Sequence, residues 1–118
     1  MCGKLFVTKS ISPENNPWYL YLVRTIDNKL YCGISPNPIT RFIQHCTGKG
    51  AKFFNSSKAL ALVYLEICGT KSQALKRELT VKQLTKKQKE QLIIAAPQQY
   101  KLPLLYNNQQ ITLIDIKL

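Results

Sequence analysis

Tyr19-Leu20-Tyr21 and Tyr31-Cys32-Gly33 stand ten residues apart, and Arg41, His45 and Glu78 follow them along the chain. Each residue type brings a distinct capability. A phenol gives or takes a proton at neutral pH only when nearby cations lower its ordinary pKa of about 10. An arginine fork suits phosphate oxygens. Imidazole both gives and takes a proton near neutrality, and an isolated carboxylate can hold a hard divalent cation. Taken singly, each also has an ordinary structural explanation: cross-strand aromatic packing, solvated helix residues, or an intrahelical ion pair.

Spacing sharpens the choice. Arg41 and His45 are four apart on a helix expected to open near Ile39, after Pro36 and Pro38, so their side chains share a face. That face is expected roughly opposite an apolar stripe of Ile39, Phe42, Ile43 and Cys46. His45 is the only histidine in the chain. On a second helix, expected from Ser72 to Leu84, Ala74, Leu75, Leu79 and Val81 define the inner face. Glu78 falls in the middle of that arc, with Lys82 one turn further on, whereas Lys76, Arg77 and Gln83 lie elsewhere. A carboxylate on an apolar face is costly unless it is paired or bound to a cation. An intrahelical Glu78–Lys82 pair, worth roughly 0.2–0.5 kcal/mol, is the structural alternative.

The elements that must position these residues read as follows. Trp18 to Thr25 is aromatic and β-branched, Ile26 to Lys29 supplies a turn, and Leu30 to Ile34 forms a second strand, giving a β-hairpin. In it Tyr21 and Tyr31 can stand side by side, with Gly33 leaving room beside them. Gly48 and Gly50 end the first helix. Ala59 to Cys68 is an apolar run expected to form a central strand. Thr70 with Gln73, and Thr85 with Gln88, are capping-box patterns that start two further helices, the last ended by Pro97. Residues 1–17 read as a lead-in with a short strand at Leu5–Val7. Residues 18–96 read as one domain, and residues 97–118 as a C-terminal extension in which Leu102–Tyr106 and Ile111–Lys117 pair around Asn107-Asn108.

A chain of 118 residues is one domain that buries roughly 65% of its unfolded surface. Seventeen Lys and Arg against six Asp and Glu, a formal charge of +11, attract polyanions, of which nucleic acid is the commonest soluble one. No stretch of about 18 apolar residues and no secretory signal is visible, so a cytoplasmic protein that does not bind membranes is expected. Cys2, Cys32, Cys46 and Cys68 show no CxxC or zinc-like spacing and read as small reduced thiols.

The order Tyr-Leu-Tyr, nine intervening residues, Tyr-Cys-Gly, an arginine ten after Tyr31 and a glutamate 37 after that arginine resembles the GIY-YIG endonuclease superfamily. The resemblance spans about residues 18 to 95. It includes Arg41-Phe-Ile-Gln-His45, the loop Gly48-Lys-Gly50-Ala51, and Arg77-Glu78. The branch it is most similar to is that of small stand-alone bacterial proteins sharing the domain type of the excision-repair nuclease. The fold so implied is α+β: a three-stranded antiparallel sheet flanked by helices, here with a C-terminal extension.

The resemblance implies a DNA endonuclease that hydrolyses a phosphodiester in one metal-assisted step. Tyr21, Tyr31, Arg41, His45 and Glu78 match its catalytic positions. Glu78 would hold one Mg2+ or Mn2+, Arg41 would bind phosphate, and Tyr31 is the first choice of base, with Tyr21 or His45 as alternatives. Departures from the pattern are Tyr19 where the first triplet usually has Gly, Ile34 where the excision-repair branch has lysine, Cys46 where Asn often follows the histidine, and Lys89-Glu90 near a frequent asparagine.

From Lys71 to Lys89 there are seven Lys or Arg and one acid. Lys82, Lys86, Lys87 and Lys89, with Lys49 and Lys52 in the loop after the first helix, are expected to form a backbone-binding stripe. No element suggests base-specific readout, so structure-selective or nonspecific cleavage in repair or recombination is expected. The alternatives are a non-catalytic nucleic-acid-binding module and a nuclease subunit whose protein partner selects the substrate.

Overall fold

The structure, a computed structural model, describes residues 16–96 and the backbone of residues 104–107 and 110–113. The strand expected at Leu5–Val7, Cys2 and Pro97 lie outside the described residues. The elements are β1 (Trp18–Thr25), β2 (Leu30–Ser35), α1 (Pro38–Cys46), a 3-10 turn (Lys52–Asn55), β3 (Ala59–Gly69), α2 (Lys71–Lys82), α3 (Lys86–Ala95), β4 (Leu104–Asn107) and β5 (Gln110–Leu113). This is an α+β fold. An antiparallel sheet of three strands, with β1 between β2 and β3, is extended beyond β3 by the hairpin β4–β5.

The hairpin β1–β2 closes through Asn28, which adopts a left-handed φ of 67° that asparagine tolerates better than most residues. Tyr21 pairs with Gly33 and Val23 with Tyr31, so the two tyrosines are diagonal neighbours on one face of the sheet rather than directly opposite. β1 is covered on both faces, which is why Leu20, Tyr21, Leu22 and Val23 are all buried in succession. One core joins Tyr21, Val23, Phe42, Phe54 and Leu62 under α1 and the 3-10 turn. The other joins Leu20, Leu22, Cys32, Tyr64 and Val81 under α2 and α3.

Both expected capping boxes are formed, with Thr70 and Gln73 opening α2 and Thr85 and Gln88 opening α3. The helix faces differ from expectation. On α1 the residues turned inward are Pro38, Phe42 and His45, while Ile39 and Ile43 are 42% and 38% exposed. His45 therefore lies on the buried side with Phe42, not opposite it. On α2, Ala74 and Val81 are buried whereas Leu75 and Leu79 are 45% and 66% exposed. The small Ala74 lets the helix approach the sheet closely, and the intermediate positions on its inner side are Arg77 and Glu78. Arg77 is held there by two contacts of 2.8 and 3.2 Å to Glu66 on β3, which also accepts from the Tyr64 hydroxyl at 2.5 Å.

α3 is tied to β1 by a second fork: Arg24 donates to both oxygens of Glu90 at 2.7 and 2.8 Å, and Lys86 adds a contact of 3.0 Å. These bonds hold the Glu90 carboxyl down at about 2. A depressed folded-state pKa stabilises the fold fully above the ordinary carboxylate value and ceases to do so as pH falls toward 2. Glu90→Gln is expected to lower the unfolding free energy by about 1–3 kcal/mol at pH 7. That deficit should shrink as pH falls below about 4.5. Urea titrations of both proteins at several pH values read it directly.

Candidate active site

The site forms where β1, β2 and α1 meet at the β2 edge of the described sheet. Tyr21 projects from β1, Tyr31 from β2 and His45 from α1. Their rings lie 6.4 Å (Tyr21–Tyr31), 5.8 Å (Tyr21–His45) and 5.2 Å (Tyr31–His45) apart, centre to centre. Phe53 and Phe54 of the 3-10 turn close the cluster, Phe54 4.8 Å from Tyr31 and 4.5 Å from His45.

Two glycines make this approach sterically feasible. A Cβ at Gly33 would stand 2.6 Å from the Tyr21 hydroxyl, so the last residue of the second triplet is small because its cross-strand partner's ring passes over it. A Cβ at Gly50 would stand 2.0 Å from His45 Nδ1. With only hydrogen there, the chain comes close enough for the Ala51 backbone N–H to donate to His45 Nδ1 at 3.3 Å.

That bond decides the tautomer. A backbone N–H can only donate, so Nδ1 is the bare nitrogen and the imidazole proton sits on Nε2. Nε2 lies 2.8 Å from the Tyr21 hydroxyl oxygen. His45 is therefore the donor and Tyr21 the acceptor, leaving Tyr21's own proton to point elsewhere. Burial, with the Arg41 guanidinium as a second cause, pushes the His45 pKa down to about 4, and its side chain is 2% exposed. Burial, and Tyr31 as a neighbour, push Tyr21 above its ordinary value while Arg41 pulls it back.

Arg41 is half-buried and braced by Gln44, whose Oε1 accepts from it at 2.8 Å. Burial raises Tyr31 too, with Lys82 and Arg41 opposing the shift and Glu78 reinforcing it. Tyr31 thus feels Arg41 from the layer of α1 and Glu78 with Lys82 from the layer of α2. Glu78 is paired with Lys82 at 3.1 Å and its side chain is 18% exposed. The intrahelical pair is thus present, at the rim where the two layers meet β2. Among the described residues no three His, Cys, Asp or Glu side chains gather into a metal cage. A single carboxylate at an open rim fits a hard divalent ion that completes its shell with water and substrate oxygens, and does not fit a structural zinc or calcium site.

The lysines singled out in the sequence lie at the end of α2, on α3, and in the loop and 3-10 turn after α1. Lys82 is paired with Glu78 and Lys86 with Glu90. Lys49 and Lys52 are exposed between α1 and β3, and Lys87 is exposed on α3. Lys86 and Lys89 instead line a cleft with Lys29, Leu30 and Phe53. Burial pushes the thiols of Cys32 and Cys46 up to about 11 and 12, in keeping with unreactive, protonated cysteines. Positions that spacing did not reveal are Gln44, the Ala51 N–H, Phe53 and Phe54. The Gly50-Ala51 loop was visible as a motif, but its bond to the imidazole needs the folded loop.

Comparison with known proteins places this geometry in context. The family model described as the GIY-YIG catalytic domain matches residues 17–91. A UPF0213 protein of Pseudomonas aeruginosa is 54% identical over 80 residues, 68% of this chain and 77% of the relative. The UPF0213 protein YhbQ of Escherichia coli is 52% identical over 77 residues, covering 65% of this chain and 77% of the relative. No solved structure matches the chain significantly.

The buried imidazole has a consequence for stability. Because its folded pKa of about 4 lies below the unfolded value of 6.5, the unfolded chain binds the extra proton between these two pH values. Stability is expected to fall as pH drops through that window, by up to about 3 kcal/mol, and to be level above it. Denaturant unfolding of wild type and His45→Gln from pH 7.5 to 4 checks this: the variant should lack the slope.

Proposed function

The chain belongs to the GIY-YIG catalytic-domain family, a nuclease family, and from that membership we propose that it is a metal-dependent DNA endonuclease. It would hydrolyse phosphodiesters with structure-selective or no sequence preference, in cytoplasmic DNA repair or recombination. Residues 18–96 are taken as the nuclease domain and 97–118 as an extension, of which β4 and β5 join the sheet beyond β3, away from β2. Among the described residues no helix is long and apolar enough to cross a membrane. What supports the reading is that Tyr31 feels both the Arg41 guanidinium, braced by Gln44, and the Glu78 carboxylate, beside a Tyr21 hydroxyl that accepts from His45.

In this reading Arg41 binds the non-bridging oxygens of the scissile phosphate and opposes their growing charge, its fork pre-set by Gln44. His45 cannot itself take a proton from water, because Nε2 already carries one and Nδ1 is occupied by the Ala51 N–H. Burial holds the Tyr21 phenol neutral, with Arg41 pulling the other way. Once further positive charge near the site offsets that burial, the bond from His45 would stabilise a phenolate there, and Tyr21 would be the base that receives the proton of the attacking water. Among the described residues the Tyr31 hydroxyl has no comparable donor, so the preference for Tyr31 based on sequence passes to Tyr21. Tyr31 lines the site and contacts the substrate. Mg2+ or Mn2+ held by Glu78 would supply Lewis-acid polarisation of the phosphate and neutralise charge on the leaving oxygen. Lys82, paired with Glu78 here, would be free to meet a phosphate with a divalent ion on Glu78, and Lys49, Lys52, Lys86, Lys87 and Lys89 would supply further electrostatic attraction. A separate protein partner that selects the substrate is compatible with this small surface.

The test is a cleavage panel of single-stranded, duplex, flap and branched DNA with Mg2+ or Mn2+. Glu78→Gln should stay folded and cut nothing, and Arg41→Ala should lose at least ~100-fold in turnover. Tyr21→Phe should lose about 10²–10⁴-fold, the range for a missing general base, and Tyr31→Phe should lose less. Wild-type cleavage by Glu78→Gln would refute the assignment, and a dead Tyr31→Phe beside an active Tyr21→Phe would return the base to Tyr31.

A further inference from the structure

Beside the tyrosine cluster lies a cleft of about 270 Å³ lined by Lys29, Leu30, Phe53, Lys86 and Lys89. Three parts of the chain build it: the end of the β1–β2 turn, the 3-10 turn and the first turn of α3. Its chemistry is divided. Leu30 and Phe53 give it an apolar wall, and the Phe53 ring packs against Tyr31 of the candidate site, 5.4 Å centre to centre and tilted by 42°. The other wall is cationic. Lys89 has no acidic partner among the described residues, and Lys29 reaches Asp27 only at 3.5 Å on the surface. The acid nearest Lys86, Glu90, is already held in a fork by Arg24, so its charge is largely cancelled before any ligand arrives.

An aromatic face beside clustered ammonium groups is the pairing that single-stranded nucleic acid requires, a π-surface for a base and cations for its phosphate. The volume lies just under the roughly 300–1,000 Å³ of pockets that take whole drug-sized ligands, which suits one nucleotide. A duplex cannot use the apolar wall, because its bases are stacked on each other and only its backbone could reach the lysines.

We propose that this cleft seats one unpaired nucleotide of a DNA strand next to the cleavage point, its base against Phe53 and Leu30 and its phosphate among Lys29, Lys86 and Lys89. The inference rests on the nuclease reading and narrows its substrate to DNA with an unpaired segment: a single strand, a flap or a gap. Contact between Phe53 and Tyr31 makes the seated nucleotide an immediate neighbour of the reacting phosphate.

Fluorescence anisotropy in EDTA, with a mixed-sequence single strand and a blunt duplex of equal length, tests binding without cleavage. Wild type should bind the single strand more tightly than the duplex at equal salt. Phe53→Leu keeps an apolar wall and removes the aromatic face. It should weaken single-strand binding about 5- to 150-fold, the equivalent of about 1–3 kcal/mol, and change duplex binding less than about twofold. Lys89→Gln should reduce the salt slope on the single strand by about 0.7. Equal loss on both DNAs, or no loss on either, in a Phe53→Leu protein with wild-type circular dichroism overturns the proposal. If Phe53→Leu does not fold, an unchanged salt slope for Lys89→Gln overturns it. Cleavage of the same DNAs with Mg2+ separates the two ideas. Cutting without an effect of Phe53 on binding removes the cleft and keeps the nuclease, whereas Phe53-dependent binding without cutting removes the nuclease and keeps the cleft.

Discussion

The hydrogen bond from His45 to the Tyr21 hydroxyl is the interaction on which the rest of the site depends. It joins the central strand to α1 inside a closed aromatic core, and its direction is set by a backbone N–H six residues further along the chain. Each partner is useless to the other unless two close approaches occur, one over Gly33 and one at Gly50. The glycine in the second triplet and the glycine in the loop after α1 thus answer the same requirement. Both let a polar ring sit within hydrogen-bonding distance in a place where a methyl group would push it away.

Around that bond the sheet edge works as a junction. The layer of α1 supplies Arg41, and the layer of α2 supplies Glu78 with Lys82. The Arg41 guanidinium of one layer and the Glu78–Lys82 pair of the other both act on Tyr31. β2 is the edge strand of the described sheet, and Tyr31 on it stands where both layers are felt. On the opposite edge the sheet continues into β4 and β5, which cover β3 and leave the tyrosine edge free. The formal charge of the whole chain, +11, makes its long-range field attractive to polyanions.

Much of this was legible because local chemistry and tertiary need agree. The aromatic hairpin, the apolar run of β3 and both capping boxes depend on neighbours a few residues away, and each formed as read. The helix faces were misread for a physical reason. Hydrophobicity ranked Ile39, Ile43, Leu75 and Leu79 as core, yet these are substantially exposed while His45 is buried. His45 is satisfied on both nitrogens, and α2 presents small Ala74 and a paired Arg77 to the sheet. A histidine with both nitrogens bonded can be buried without leaving a polar atom unsatisfied, but no periodicity reveals that it is. The direction of the Tyr21–His45 bond was likewise hidden, because it depends on a loop amide. The cleft of Lys29, Phe53 and Lys89 unites residues up to 60 positions apart that carry no shared motif.

The tautomer of His45 is the most direct measurement of this account. His45 is the only histidine in the chain, so its ring nitrogens can be followed without ambiguity by 15N NMR across a pH titration. The account predicts a proton on Nε2 and a bare Nδ1 at pH 7, with the ring remaining neutral until the pH approaches about 4. A proton on Nδ1 would mean that Tyr21 is not the acceptor, and titration near the ordinary 6.5 would mean that the ring is not held buried beside Arg41; either contradicts the account.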